Sequence, residues 1–120
     1  MSAILVVEDD PSIRLLLATI LRRAHYEVDT VDNGRDAIRK AKGTEYDVIV
    51  LDLMMPVMSG MEVLGRLAVR TRKPRFVVIM SAAPPDALAE ADGANVFAML
   101  HKPAAIHEIV ATVGACIAAA

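Results

Sequence analysis

Short runs of apolar, often β-branched residues alternate along the whole chain with segments whose apolar residues recur at helical spacing. The first run, Ala-Ile-Leu-Val-Val at 3–7, is apolar on both faces, as expected of a parallel strand that is covered on two sides. Strands that alternate with helices favour an open parallel sheet with helices on both faces. We therefore predict an α/β fold, a doubly wound five-stranded parallel sheet with five helices. The predicted strands are 3–7, 27–31, 47–52, 76–80 and 97–101.

Residues that typically begin or end helices predict where the helices between these strands lie. The first helix begins with Asp10 as its cap and Pro11 at its first position, and the second starts at Asp-Asn-Gly, residues 32–34, and ends at Gly43. In the first helix, the apolar stripe that includes Leu16 and Leu17 is predicted to face inward. The remaining helices are predicted to start near Gly60, to follow the Pro-Pro pair at 84–85, and to cover 104–118.

The length of the chain, 120 residues, corresponds to one domain. A content of 55% apolar and 23% charged residues excludes intrinsic disorder. The single cysteine, Cys116, cannot form a disulfide within the chain, and we expect it to fill core space. We predict one domain over 1–120 with no output domain.

Charge and hydropathy disfavour two classes of function. The net charge of −2, the pI near 5.9 and an aromatic content of 3% are unlike those of a nucleic-acid-binding domain. Mean hydropathy is high, but no apolar run reaches the roughly 20 residues that a membrane span needs. The N-terminus does not resemble a signal peptide. We therefore predict a cytoplasmic protein with no membrane insertion and no direct contact with nucleic acid.

Polar side chains that could take part in binding or catalysis follow the predicted strands. In open α/β sheets, ligands bind beyond the carboxyl ends of the strands, so residues at these positions meet at one edge. These residues are Glu8, Asp9 and Asp10 after the first strand, Asp52 at the end of the third, Ser81 after the fourth and Lys102 after the fifth.

Electrostatics limits what this group can do. Two carboxylates about 5 Å apart repel by roughly 3 kcal/mol at an effective dielectric near 20. Glu8, Asp9 and Asp52 therefore either take up a proton or recruit a divalent cation. Oxygen ligands with open water positions suit Mg²⁺, which commonly meets a phosphate. With Lys102 and Ser81 nearby, the group has the parts of a phosphoryl-transfer site.

Four segments at the strand ends carry a family resemblance that covers essentially the whole chain. In this order and placement, they resemble the receiver domain of two-component response regulators. The resemblance implies the flavodoxin-like receiver fold with strand order 2-1-3-4-5. The segments are 4–10, 48–52 followed by Met-Pro-Val-Met-Ser-Gly at 55–60, Ile-Met-Ser-Ala at 79–82, and His-Lys-Pro at 101–103.

The resemblance implies roles for three side chains. Asp52 would be the phosphoacceptor, which takes the phosphoryl group from a sensor histidine kinase, a histidine phosphotransfer protein or a small phosphodonor. Lys102 would pair with Asp52 and then with the phosphoryl group. Ser81 would hydrogen-bond a phosphoryl oxygen and move inward on activation. The chain would be a signalling domain that catalyses only its own phosphorylation and dephosphorylation.

The resemblance also implies a Mg²⁺ site. Asp9 and Asp52 would bind the ion directly, and Glu8 would bind it through water. The main-chain carbonyl of Met54, two residues after Asp52, would be a further protein ligand.

The sequence departs from the family pattern before the lysine. Met99 stands where the family often has a Tyr or Phe that swings inward with the Ser or Thr. On a regular strand, Phe97 would share the face of Met99. The stretch from Gly93 to Lys102 is also about two residues longer than usual. Either the fifth strand starts late or the preceding loop bulges, and the effect on switching stays open.

We expect the signal to leave by protein–protein contact, through the face formed by the fourth helix, fifth strand and last helix. Onward relay to a histidine phosphotransfer protein stays open. The main alternative is a phosphorylation-independent interaction module. An aspartyl-phosphate phosphohydrolase is disfavoured because Met54 occupies the position of its second Asp. A flavodoxin-like cofactor carrier is disfavoured because the acidic residues 8–10 would repel a flavin phosphate.

Overall fold

Strands and helices alternate over residues 3–52, as the sequence predicts. The computed structural model describes residues 2–52, 75–80, 96–101 and 105–119. The helices predicted near residue 60 and after residue 85 lie outside these ranges. The described elements are β1 (Ala3–Val7), α1 (Pro11–Arg23), β2 (Glu27–Val31), α2 (Gly34–Gly43), β3 (Val48–Asp52), β4 (Arg75–Met80), β5 (Val96–His101) and α3 (Ile106–Ala118).

The five strands form one parallel sheet in the order β2-β1-β3-β4-β5. This order confirms the predicted doubly wound topology. β3 lies at the centre between β1 and β4, and all five of its residues are buried. Leu5 of β1 pairs with Asp29 of β2 on one side and with Ile49 of β3 on the other. The parallel register brings the carboxyl ends of β1 and β3 to the same edge.

Helices cover both faces of the sheet. α1 and α3 pack on one face, where Leu17, Leu21, Val113 and Cys116 join the inward residues of β1 and β3 in one apolar cluster. Cys116 is fully buried, as expected. On the other face, α2 contacts β1 and β2. None of the helices in the described part of the chain is long and apolar enough to cross a bilayer.

The inward face of α1 differs from the predicted one. Leu17, Ala18 and Leu21 are buried, whereas Leu16 is 46% exposed. Because each residue turns a helix by about 100°, Ala18 shifts the centre of the buried face away from Leu16. The prediction for Leu16 was wrong because it gave the long side chain more weight than the small alanine.

α1 ends in a Schellman motif. His25 has a φ of 70°, in the left-handed region. Its N–H donates to the carbonyl of Arg22 at 3.0 Å, and the N–H of Tyr26 donates to the carbonyl of Leu21 at 3.3 Å. These are the two hydrogen bonds that define the motif, in which the left-handed position is usually glycine.

The fifth strand contains the irregularity that the spacing before Lys102 indicated. Val96 pairs with Phe76 and Ala98 pairs with Val77, so Phe97 is an extra residue in β5. The strand begins at Val96 and does not start late. The extra residue lies within the strand, so β5 is not the regular strand on which Phe97 would share the face of Met99.

Candidate functional site

Three carboxylates converge at the carboxyl edge of the sheet. Glu8, Asp9 and Asp52 each offer one oxygen, and these oxygens lie within 4.8 Å of one another. The register explains the meeting: Val7 pairs with Leu51, so the residues that follow them in β1 and β3 reach the edge side by side. The structure therefore brings together three of the residues that the sequence singled out.

The carboxylates differ in burial. Glu8 is 3% exposed and Asp52 is 1% exposed, whereas Asp9 is exposed to solvent. Negative charge that is held this close together in a buried position is costly without positive charge beside it. Three carboxylate oxygens this close together, one of them on the exposed Asp9, suit a hard divalent cation that keeps some of its waters. The donor set therefore fits Mg²⁺.

Residues 8–10 form an acidic loop between β1 and α1, and hydrogen bonds to its main-chain groups hold it in place. The N–H of Glu8 donates to the carbonyl of Val31 at 3.1 Å, which extends the contact between β1 and β2 by one residue. The N–H of Asp9 donates to Oε2 of Glu8 at 3.0 Å. Nη1 of Arg14 donates to the carbonyl of Glu8 at 3.0 Å and to that of Asp9 at 3.4 Å.

Asp10 has a different task from its two neighbours. Its Oδ1 accepts hydrogen bonds from the N–H groups of Ser12 at 2.8 Å and Ile13 at 3.2 Å, which makes it the N-cap of α1. Pro11 follows as the first helical residue. This arrangement confirms the cap that the sequence predicted.

Three other predicted site residues, Met54, Ser81 and Lys102, lie outside the described residues. Sequence reasoning missed the part that Arg14 plays beside the acidic loop. A signal was present, because Arg14 is a cation in the first turn of a helix, where anions are favoured, and it lies four residues after the last of three acidic residues.

Comparison with known proteins identifies the class. The sequence matches the family of response regulator receiver domains over residues 4–114. The chain belongs to this family. Receiver domains are the signalling domains of two-component systems; they interact with histidine kinases and bind Mg²⁺ at an acidic cluster.

Two curated relatives are response regulators of greater length. The transcriptional regulatory protein TcrA of Mycobacterium tuberculosis is 42% identical over 91 residues, which are 75% of this chain and 36% of TcrA. The response regulator ArlR of Staphylococcus aureus is 32% identical over 118 residues, which are 98% of this chain and 53% of ArlR. The chain thus spans between about a third and a half of these relatives.

Solved structures of similar length share the fold. The chemotaxis protein CheY4 of Vibrio cholerae is 30% identical with a TM-score of 0.84, and the alignment covers 97% of this chain and 98% of CheY4. The response regulator TrrA of Thermotoga maritima, solved in complex with Mg²⁺-BeF, is 30% identical with a TM-score of 0.83 over 97% of this chain and 99% of TrrA.

Proposed function

We propose that this receiver domain accepts a phosphoryl group on Asp52 in a Mg²⁺-dependent reaction. The observation that carries the proposal is the convergence of the Glu8, Asp9 and Asp52 carboxylates at the end of the central strand. A carboxylate oxygen of Asp52 would form the new bond to phosphorus, and the bond from phosphorus to the donor nitrogen of a phosphohistidine would break. The product is an acyl phosphate, and the histidine leaves with the electron pair of the broken bond.

The cation would be held mainly by this chain's own oxygens. We propose Asp9 and Asp52 as direct ligands, the Met54 carbonyl as a further one, and Glu8 as a ligand through water. Bound Mg²⁺ supplies positive charge that offsets the carboxylates and the phosphoryl oxygens. The complex of the similar protein TrrA with Mg²⁺-BeF supports such a site.

Two further side chains complete the proposed machinery. Lys102 would pair with the Asp52 carboxylate and then with the phosphoryl group, which limits the build-up of negative charge. Ser81 would donate a hydrogen bond to a phosphoryl oxygen. Both roles rest on the match of these residues to the family motifs at the ends of the fourth and fifth strands.

We propose a sensor histidine kinase or a histidine phosphotransfer protein as the phosphodonor. The signal would then pass by protein–protein contact through the face formed by the predicted fourth helix, β5 and α3. Phosphorylation would shift an equilibrium between two conformations of this face, and it can do so only by the difference in how the phosphoryl group interacts with the two.

The absence of direct nucleic-acid contact stays a prediction, since TcrA is called a transcriptional regulatory protein. The cytoplasmic location also stays a prediction.

The proposal is tested by the intact mass of the protein after incubation with acetyl phosphate, with and without Mg²⁺. We expect a gain of one phosphoryl group with Mg²⁺ only, and no gain in Asp52→Asn. As a matched control, Asp32→Asn changes an exposed acid after β2 and keeps the label. Undiminished labelling of Asp52→Asn would contradict the assignment. A wild-type protein that takes up no label from acetyl phosphate or from phosphohistidine donors would indicate a phosphorylation-independent module.

A further inference from the structure

Arg14 occupies an unusual position for a cation. It is the fourth residue of α1, whose first turn reads Pro-Ser-Ile-Arg. The positive end of the helix dipole lies there, so a cationic side chain at this position is unfavourable unless other groups compensate. Arg14 is partly buried, which limits compensation by water. Its placement therefore calls for specific partners nearby.

The partners of Arg14 are the main-chain carbonyls of Glu8 and Asp9, at 3.0 and 3.4 Å from the same Nη1 atom. Hydrogen bonds from a charged donor are stronger than those between neutral groups. These bonds use main-chain oxygens, so they do not consume the carboxylate oxygens that would face a cation. What Arg14 fixes is the path of the chain that carries both carboxylates.

Together with other hydrogen bonds, these bonds attach the acidic loop to β2 on one side and to α1 on the other. Glu8 is tied to β2 through its N–H and to Arg14 through its carbonyl. The main-chain N–H of Arg14 donates to the carbonyl of Asp10 at 2.9 Å, and the Asp10 side chain caps the same helix. A loop that is held at both ends keeps its carboxylates in place although they repel each other.

We propose that Arg14 is a positioning residue for the cation site: it holds the main chain of Glu8 and Asp9 so that their carboxylates meet that of Asp52. This inference rests on the proposed function, because it assumes that the cluster binds Mg²⁺. Arg14 acts through the loop and touches neither the cation nor the phosphoryl group.

The direction in which Mg²⁺ affinity changes when Arg14 is replaced distinguishes the positioning role from simple electrostatics. A positive charge near a cation site weakens cation binding by repulsion, so removal of the charge alone tightens Mg²⁺ binding. Loss of an anchor has the opposite effect, since residues that orient metal ligands contribute roughly 10- to 100-fold to affinity. The direction of the change in affinity therefore identifies which effect dominates.

The experiment is a calorimetric Mg²⁺ titration without phosphodonor. We expect Arg14→Met, which keeps the apolar stem and removes every donor, to weaken binding roughly tenfold. Arg14→Lys keeps a cationic donor without the guanidinium fork, so its affinity falls between those of Arg14→Met and the wild type. Arg39→Met is the matched control, because Arg39 is an exposed cation that pairs with Asp36 at 3.6 Å on α2. It stays within about twofold of the wild type.

The possible outcomes separate the two proposals. Wild-type protein that binds no Mg²⁺ would overturn the proposed function and this inference together. Wild-type binding with equal or tighter binding by Arg14→Met would overturn the role of Arg14 alone. Equal weakening in Arg39→Met, or no difference between Arg14→Lys and Arg14→Met, would also count against it. Circular dichroism checks the fold of each variant, and if Arg14→Met does not fold, the weaker binding of Arg14→Lys relative to the wild type decides.

Discussion

The Tyr46 hydroxyl donates a 2.6 Å hydrogen bond to Oδ2 of Asp29. Tyr46 lies two residues before the start of β3, so the bond links this segment to the edge strand β2. β1 lies between these two strands in the sheet, so the bond bridges across a neighbour. Tyr46 is 8% exposed. Burial, followed by the hydrogen bond to Asp29 and the negative charge of Asp29, raises the pKa of Tyr46 to about 12 from its usual 10.0.

This raised pKa predicts a loss of stability in alkali. Below about pH 10, Tyr46 is neutral in both the folded and the unfolded chain, and its contribution to stability is fully present. Between about pH 10 and pH 12, the unfolded chain releases the proton while the folded one retains it, so the contribution is lost as the pH rises. The loss is of the order of 2 kcal/mol.

Comparison with Tyr46→Phe isolates this effect from other titrating groups. The variant loses the hydrogen bond to Asp29 and is less stable by about 2 kcal/mol at neutral pH. It also has no hydroxyl to ionise, so the difference in unfolding free energy between the two proteins shrinks as the pH rises. Urea denaturation from about pH 7 to pH 11.5 measures this difference. A difference that stays constant over the whole range would contradict the prediction.

Replacement of His25 by glycine is expected to stabilise the protein by about 1 kcal/mol. His25 has a φ of 70°, which costs free energy for any residue with a Cβ atom. His25→Ala is the matched control: it removes the imidazole but keeps the Cβ, so it brings no gain. Thermal and urea unfolding of the three proteins provide the test. Equal stabilisation by alanine would mean that the imidazole, rather than the backbone conformation, carries the cost.

Asp9→Asn is expected to weaken Mg²⁺ binding more than tenfold, because it replaces a charged oxygen ligand by a neutral one. Asp10→Asn removes the same charge one residue further along and keeps the cap, since Asn caps helices as well as Asp does. We expect this control to lower the affinity by no more than about threefold through the loss of long-range attraction. Equal effects of the two changes in a Mg²⁺ titration would show that net charge, and not ligation by Asp9, determines the affinity.

Gly114→Ala is expected to raise stability by about 0.5–1 kcal/mol, because alanine is the better residue in a helix interior. Gly114 lies within α3, and a Cβ atom there would be 3.8 Å from the Tyr26 hydroxyl oxygen, an ordinary van der Waals distance. Gly43→Ala makes a useful comparison, since a Cβ atom at Gly43 has nothing within 4 Å but sits at the last residue of α2. We expect a smaller gain there. Destabilisation by Gly114→Ala would mean that the packing of α3 beside Tyr26 cannot accommodate the added methyl group.

Much of the fold was predictable because local signals agree with the tertiary structure. Runs that are apolar on both faces predicted β1 and the central β3, and Asp10 with Pro11 marked the start of α1. The order of the strands came from the family resemblance, since local pattern does not specify which strands are neighbours. The meeting of Glu8, Asp9 and Asp52 followed from placement at the strand ends, once the strands are parallel and adjacent.

Other features depend on three-dimensional packing that a local pattern does not contain. The exposure of Leu16 depends on which side of α1 the sheet and α3 cover. The hydrogen bonds of Arg14 depend on the path of a loop, although the placement of the residue against the helix dipole gave a hint. The extra residue Phe97 was detectable as added length, but its location inside β5 required the strand register.

The bulge in β5 has a consequence for how the molecule behaves among other copies of itself. β5 is the last strand of the sheet, so its outer side carries main-chain groups that an approaching strand could use. The extra residue at Phe97 interrupts the even spacing of those groups. A second strand that keeps step with residues 98–101 could not also keep step with Val96. The same irregularity that lengthens the strand thus discourages edge-to-edge growth of the sheet into fibrils.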